Sequence, residues 1–375
     1  MTVYLDNAAT TLIKPRSVIR ASSGAMSALG SPGRGGHKYA MAAAETAFSC
    51  REAAAKLFNV DDVEKVVFTF NATHGLNIAI KTLAKPGDRV IVSGYEHNAV
   101  MRPLYEIGAD VAVVRSRLFD AEEITENLKK ELESGAKLVV WNHVSNVFGF
   151  VQPIDEIAAI CRDASVPLII DASQSAGTVK LDFKALGADF IAMPGHKGLY
   201  GPQGSGLLLC GRMIKPLISG GTGSNSAEYA MPDFLPDAAE AGTHNMPGIA
   251  GLLEGIKFVS RHRPENILFH EKRLIRELAA GLKRIKGVTV YDIVDNERMS
   301  GVLSFTIDGM ESERAGQELA RRGIAVRAGL HCAPEAHKTA GTFPVGTVRA
   351  SVSVFNTRQE VMYTVKAVEE ICRSR

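Results

Sequence analysis

Net charge is almost absent from this chain. Its 43 Lys and Arg residues against 41 Asp and Glu leave +2 over 375 residues. So small an excess gives no support to nucleic acid or an anionic membrane as the main partner. The pair Arg321-Arg322 reads as a solvated helix end. No run of about 18 apolar residues occurs, so no membrane span is expected. The start, Met1-Thr2-Val3-Tyr4-Leu5-Asp6, lacks the basic stretch and apolar core of a secretion signal, and a cytoplasmic protein is expected. Cysteine is sparse: Cys50, Cys161, Cys210, Cys332 and Cys372 are scattered, odd in number and free of any CxxC. That argues against a disulfide framework and against a zinc site, and no metal centre is expected. No Walker A sequence is present, and Gly30 to Gly36 matches no dinucleotide fingerprint. Internal repeats and low-complexity segments are also missing.

What remains is ordinary globular composition, 46% apolar and 22% charged, in a chain long enough for two domains. Short β-branched runs alternate with amphipathic stretches. Val66–Phe70, Arg89–Val92, Val111–Val114, Leu138–Trp141 and Leu168–Ile170 read as strands. Leu76–Leu83, His97–Ile107, Ile124–Leu132 and Ile154–Arg162 read as helices. Continuous apolar strands separated by helices predict an α/β fold with a mostly parallel, seven-stranded type of sheet covered on both faces. Sites in such sheets form at the carboxyl ends of strands. From about Gly248 the pattern changes. A helical region from Ile249 towards Leu282 breaks near Pro264. Strands at Val288–Tyr291, Val302–Phe305 and Ala325–Arg327 follow, with helices at Arg314–Arg322 and Arg358–Cys372. This predicts a small α+β domain made of residues 1–16 and 249–375, beside a large domain of residues 17–248.

Lys197 sits in the small-residue turn Met193-Pro194-Gly195-His196-Lys197-Gly198, just after an apolar run. Upstream, the run Pro167-Leu168-Ile169-Ile170 ends in Asp171. A carboxylate at one strand end and a lysine after the next is what pyridoxal phosphate chemistry needs. The lysine forms the Schiff base, and the acid keeps the pyridine nitrogen protonated so that the ring can accept electrons. Taken alone, the turn also fits a surface lysine. Asn71-Ala72-Thr73-His74-Gly75 lies between a strand and a helix, where free N–H groups and the helix dipole attract a phosphate; a plain helix cap by Asn71 or Thr73 fits equally.

Eight pieces in order carry a family resemblance: Tyr4 to Thr11, the Asn71-Ala72-Thr73 turn, Glu96-His97-Asn98, His143 to Asn146, Asp171 to Gln174, Gly195-His196-Lys197, Ala241-Gly242-Thr243 and Arg327 to Ala333. Along essentially its whole length the chain resembles the cysteine desulfurase and selenocysteine lyase family. That family belongs to the class V aminotransferase group of fold-type-I pyridoxal phosphate enzymes. The short Gly329-Leu330-His331-Cys332-Ala333 turn resembles its SufS-like second group.

The resemblance implies Lys197 and Cys332 as catalytic residues. It implies Ala72, Thr73 and His196 at the cofactor phosphate, with Thr243 reaching the phosphate of a partner subunit, hence a homodimer. His97 stacks on the ring, Asp171 pairs with the pyridine nitrogen, and Gln174 and Asn146 lie near the phenolic oxygen. Asn146 and Arg349 face the substrate carboxylate, a job suited to a planar donor. His37 is a further candidate at the substrate, and Arg327, His331 or His37 could lower the Cys332 pKa. The implied activity converts L-cysteine to L-alanine, leaves sulfur as a persulfide on Cys332 and passes it to an acceptor protein. The rivals are a selenocysteine lyase, a class V aminotransferase or lyase that does not use Cys332, and a weak member acting as a sulfur-relay partner. Three departures stand out: Pro194 where a hydroxyl residue usually meets the phosphate, Leu330 in place of a histidine, and a somewhat short chain.

Overall fold

Seven strands form the main sheet, in the order Val66–Thr69, Gly206–Cys210, Phe190–Pro194, Leu168–Asp171, Leu138–Asn142, Arg89–Ser93 and Asp110–Val114. The computed structural model describes residues 2–33, 35–293 and 296–374; Met1, Arg34 within the stretch Gly30 to Gly36, and Val294, Asp295 and Arg375 of the expected small domain fall outside them. Gly206–Cys210 runs antiparallel to both neighbours, and every other pairing is parallel. Successive side chains alternate between two buried clusters. Val66, Phe68, Leu168 and Ile170 enter one, while Val67 and Ile169 enter the other. Burial on both faces is why these strands read as unbroken apolar runs. Ala72–Leu83 and Asn98–Glu106 cover one face, and Lys38–Phe58, Ala121–Glu133 and Ile154–Asp163 cover the other.

A second, antiparallel sheet runs Arg327–Gly329, Thr347–Ser351, Val302–Ile307, Val288–Tyr291. Helices Pro264–Leu282, Ser312–Arg321 and Arg358–Arg373 accompany it. The expected break near Pro264 is real: Met246–His262 ends at Arg263, whose φ is +65°, and Pro264 opens the next helix. The sequence reading did not identify the helices Arg16–Ala28 and Lys38–Phe58, and its strands differ from those observed in places. Gly206–Cys210 is a strand it did not identify. The single strand expected over Ala325–Arg327 is two: Ile324–Ala325 pairs in parallel with Val3–Tyr4, and Arg327–Gly329 joins the antiparallel sheet. A partner more than three hundred residues away captures the first part, and the nearby Thr347–Ser351 captures the second.

Register brings the chemistry together. Asn142 pairs with Asp171, and Asp171 with Ala192, so the chain leaves the next strand at Pro194 beside that carboxylate. The Lys197 turn then folds back on itself, with Gly201 N–H donating to Gly195 O (2.7 Å) and Tyr200 N–H to Lys197 O (2.9 Å). From one side the N-terminal segment grips it. Thr11 Oγ1 (3.0 Å) and Lys14 Nζ (2.8 Å) both donate to His196 O. From the other, the Ser175–Gly177 turn lies so close that a Cβ on Gly198 would meet Ala176 O at 2.4 Å. Gly198→Ala should therefore lose about 2 kcal/mol, read as a lower urea midpoint at unchanged slope.

Candidate active site

A cleft of about 460 Å³ opens at the carboxyl ends of the central strands. It is lined by Asn71, Ala72, Thr73, His97, Ala99, Asn142, Asn146, Asp171, Ser173, Gln174, Pro194, His196 and Lys197. Asp171 is buried, and one of its oxygens accepts from Ser173 N–H (2.9 Å). Lys197 Nζ makes no hydrogen bond or ion pair with a described residue. Burial, reinforced by the charges of Arg349 and Arg327, lowers its pKa to about 8 against the pull of Asp171. His97 caps helix Asn98–Glu106: Ala99 N–H donates to its Nδ1 (3.0 Å), and burial lowers its pKa to about 4. The ring is thus neutral at pH 7, with its proton on Nε2.

At the far end Asn71 Oδ1 accepts from His74 N–H (2.9 Å) and caps helix Ala72–Leu83. The N–H groups of Ala72 and Thr73 open that helix's first turn, and groups there have no partner within the helix. His196 Nδ1 is buried without a hydrogen bond, and so are Asn146 Oδ1 and Arg349 Nε. Buried polar atoms are rarely left unpaired, so these orphans are the mark of a polar ligand. A buried carboxylate, a lysine held near pH 8 and N–H groups at a helix start fit pyridoxal phosphate in charge and in order.

Arg349 is almost fully buried, donating through Nη1 to Asn146 O (2.9 Å) and through Nη2 to Asp6 Oδ1 (2.8 Å). The other Asp6 oxygen accepts from Arg327 Nε (3.2 Å) and Nη2 (3.0 Å). Arg327 begins the short strand that leads to Cys332. Cys332 is exposed, on a turn where both it (φ +55°) and His331 (φ +51°) are left-handed. Non-glycine residues adopt that conformation only when their surroundings enforce it, and often at functional sites. Here Cys332 O accepts from Asn98 N–H (2.7 Å), next to His97, and His331 O accepts from Asn146 Nδ2 (2.9 Å). The turn is tied to the cleft wall on both sides.

His331 belongs to a buried relay. Its Nε2 meets Arg327 O (3.3 Å) and its Nδ1 meets His337 Nε2 (3.3 Å), while His337 Nδ1 meets Thr342 Oγ1 (2.7 Å). One neutral tautomer of each ring satisfies the whole chain, with Thr342 donating to His337, His337 to His331 and His331 to the carbonyl. Burial drives the His331 pKa far down and that of His337 to about 4. His331 is therefore not a cation beside Cys332, contrary to one sequence expectation.

The structure thus gathers Ala72, Thr73, His97, Asn146, Asp171, Gln174, His196 and Lys197 in one cleft. Arg349 and the Cys332 turn are bonded to its wall. Gln174 also donates through Nε2 to Ala8 O (2.9 Å). Two candidates stand apart. Thr243 is exposed and lines a separate cavity with Phe68, Phe70, His74 and Ile218. His37 is exposed and caps helix Lys38–Phe58, accepting from Ala40 N–H (3.3 Å). Sequence reasoning assigned no role to Glu96, which is fully buried. Its Oε1 accepts from Ser93 Oγ (2.5 Å) and Asn142 N–H (2.7 Å), and its Oε2 has no partner. Burial raises its pKa to about 8, aided by the nearby Asp171 charge. Asp6 and Lys14 were likewise unassigned. Each is an ordinary charged residue until the fold buries it.

Fold and cleft together define a pyridoxal-phosphate-type α/β enzyme, and the chain belongs to the aminotransferase class-V family, whose model matches residues 3–363. That is a family of pyridoxal-phosphate-dependent enzymes with the fold-type-I architecture. The chain is 34% identical to a protein named "Probable cysteine desulfurase" from Methanothermobacter thermautotrophicus, over 98% of this chain and 94% of that one. A protein of the same name from Pyrococcus abyssi is 30% identical over 99% and 94%. Among solved structures, the apo cysteine desulfurase of Thermococcus onnurineus superposes with a TM-score of 0.91 at 30% identity, covering 100% of this chain and 95% of that one.

Two outcomes test these electrostatics. Asp6→Ala leaves the buried Arg349 guanidinium without its counter-charge and should destabilise the fold by about 3 kcal/mol in denaturant unfolding. Glu96 binds its proton more tightly folded (about 8) than unfolded (4.5). Its contribution to stability is therefore full below pH 4.5 and is lost as pH rises to 8. Glu96→Gln should flatten the stability profile across that window.

Proposed function

We propose that this chain is a pyridoxal-phosphate-dependent cysteine desulfurase that takes sulfur from L-cysteine, releases L-alanine and carries the sulfur as a persulfide on Cys332 for an acceptor protein. The observation that carries this reading is the exposed Cys332 on a turn bonded to Asn98 and Asn146, at the rim of the cleft that holds Lys197. Lys197 would hold the cofactor covalently. Asp171 would pair with its pyridine nitrogen, His97 would stack on the ring, and Gln174 and Asn146 would meet its phenolic oxygen. Ala72, Thr73 and His196 would receive the phosphate. Bound there, the cofactor supplies an electron sink for charge developing at the substrate Cα.

The protein's own groups do the rest. Arg349, with Nε unpartnered, and Asn146 orient the substrate carboxylate. Lys197, held near pH 8, can release its proton and take up the one on Cα. The Cys332 thiolate attacks the substrate sulfur. An S–S bond forms, the Cβ–S bond breaks, and its electron pair stays on Cβ, which gains a proton to become the methyl group of alanine.

A homodimer fits the exposed apolar residues Leu12, Ile13, Met26, Met41 and Phe48 on one end of the chain, and it would let Thr243 serve a second copy's cleft. We assign residues 17–248 to a large domain and 1–16 with 249–375 to a small one, the boundary helix Met246–His262 packing on Arg16–Ala28 and Lys38–Phe58 of the large domain. Cys50, Cys161, Cys210 and Cys332 are free thiols, in keeping with a reducing compartment such as the cytoplasm.

Protein incubated with L-cysteine should gain the mass of one sulfur atom on the peptide containing Cys332. Cys332→Ala should lower alanine formation by about 10²-fold or more while keeping the cofactor's absorbance, whereas Lys197→Ala should lose both. Full turnover by Cys332→Ala would sink the mechanism.

A further inference from the structure

Lys197 faces two cavities, and only one is the cleft described above. The second, about 400 Å³ between its lining atoms, is bounded by Asn7, Thr11, Gln174, Lys197, Glu271 and Ser300 among others. Gln174 and Lys197 are common to both and form the partition. Two polar groups in the second cavity lack partners. Ser300 Oγ is buried without a hydrogen bond. Glu271, on helix Pro264–Leu282, is 5% exposed, and its carboxyl group makes no hydrogen bond or ion pair with a described residue. Its place is also a built one. A Cβ on Gly301 would lie 2.5 Å from Glu271 Oε2, so only glycine at 301 lets the carboxyl group sit there. A polar chamber with unpaired donors and acceptors holds water, and this one has room for about two molecules.

We propose that these waters connect Glu271 to Lys197 and that Glu271 is the lysine's proton store. The proposal rests on Lys197 being the group that takes the substrate's Cα proton. After that uptake the lysine is an ammonium. When the lysine has handed that proton on it is a neutral amine; the Glu271 acid then passes its own proton through the waters, leaving an ammonium and a carboxylate, and the return step restores amine and acid. Charge balances without any other reactant. Burial raises Glu271 to about 8, and burial lowers Lys197 to about 8, so a proton passes between the two with little difference in affinity. Tyr200 is the remaining titratable group facing the chamber. Burial raises its pKa, the Glu271 charge adds to this, and it stays a neutral phenol. Asp6, Asp171, Arg327 and Arg349 act on Lys197 from the cleft side. Glu271 acts through Lys197 and is a positioning residue for its proton.

The test compares wild type, Glu271→Gln and Glu271→Asp. In protein freed of cofactor, the infrared carbonyl band of protonated carboxyl groups should be present at pH 7, fade through pH 8 and lose Glu271's share in Glu271→Gln, the share of Glu96 remaining. In the holoenzyme, exchange of the L-alanine Cα hydrogen for solvent deuterium should slow about tenfold in Glu271→Gln, and Glu271→Asp, which keeps a proton-carrying group in reach of water, should restore it. A packing role predicts the reverse order, since Gln matches the shape of Glu better than Asp does; that order overturns the proposal. So does an infrared difference showing Glu271 ionised at pH 7. Absence of exchange in wild type would instead overturn the reading of Lys197, and the proposal with it.

Discussion

Asp6 holds the site together. One carboxylate accepts from Arg349 through one oxygen and from Arg327 through the other. Arg349 in turn grips the backbone of Asn146, whose side chain holds the turn before Cys332. The N-terminal segment that carries Asp6 goes on to clamp the carbonyl of His196, the residue before Lys197. Nucleophile, carboxylate-binding arginine and lysine are thus positioned by one short stretch of chain. A buried guanidinium is strongly unfavourable without its partner, so Arg349 is pinned by electrostatic necessity and not by packing alone.

Desolvation sets the protonation states around that frame. Lys197 and Lys14 move down to about 8, and Glu96 and Glu271 up to about 8. His97, His196 and His337 fall to about 4 and stay neutral. Groups that would be firmly charged in water are brought close to the point where they exchange protons near neutrality, which is where acid–base catalysis works best.

Much of this was legible in the sequence. Apolar runs such as Leu168–Ile170 announce two-sided burial, and the acid that ends that run marks the carboxyl edge of the sheet. Lys197 after the next run completes the pattern. The resemblance then placed residues that no periodicity could assign, including Asn146, Arg349 and Cys332. What stayed hidden depends on partners far along the chain. The Ile324–Ala325 strand exists because Val3–Tyr4 lies beside it. Nothing in a one-dimensional pattern says that Glu96 and Glu271 are buried, or that His331 is sealed behind His337 and so cannot be a cation. Thr243 and His37 lie outside the cleft of their own chain, a matter of geometry that spacing does not carry.

The pairing of Val3–Tyr4 with Ile324–Ala325 also has a bearing on synthesis. Val3–Tyr4 finds its strand partner, and Asp6 finds Arg327 and Arg349, only after more than three hundred further residues have been made. Until then the parallel sheet can assemble, because its strands follow one another closely, while the grip on the Lys197 turn must wait. The unfinished polypeptide is a scaffold without a site, and competence arrives in one late docking event.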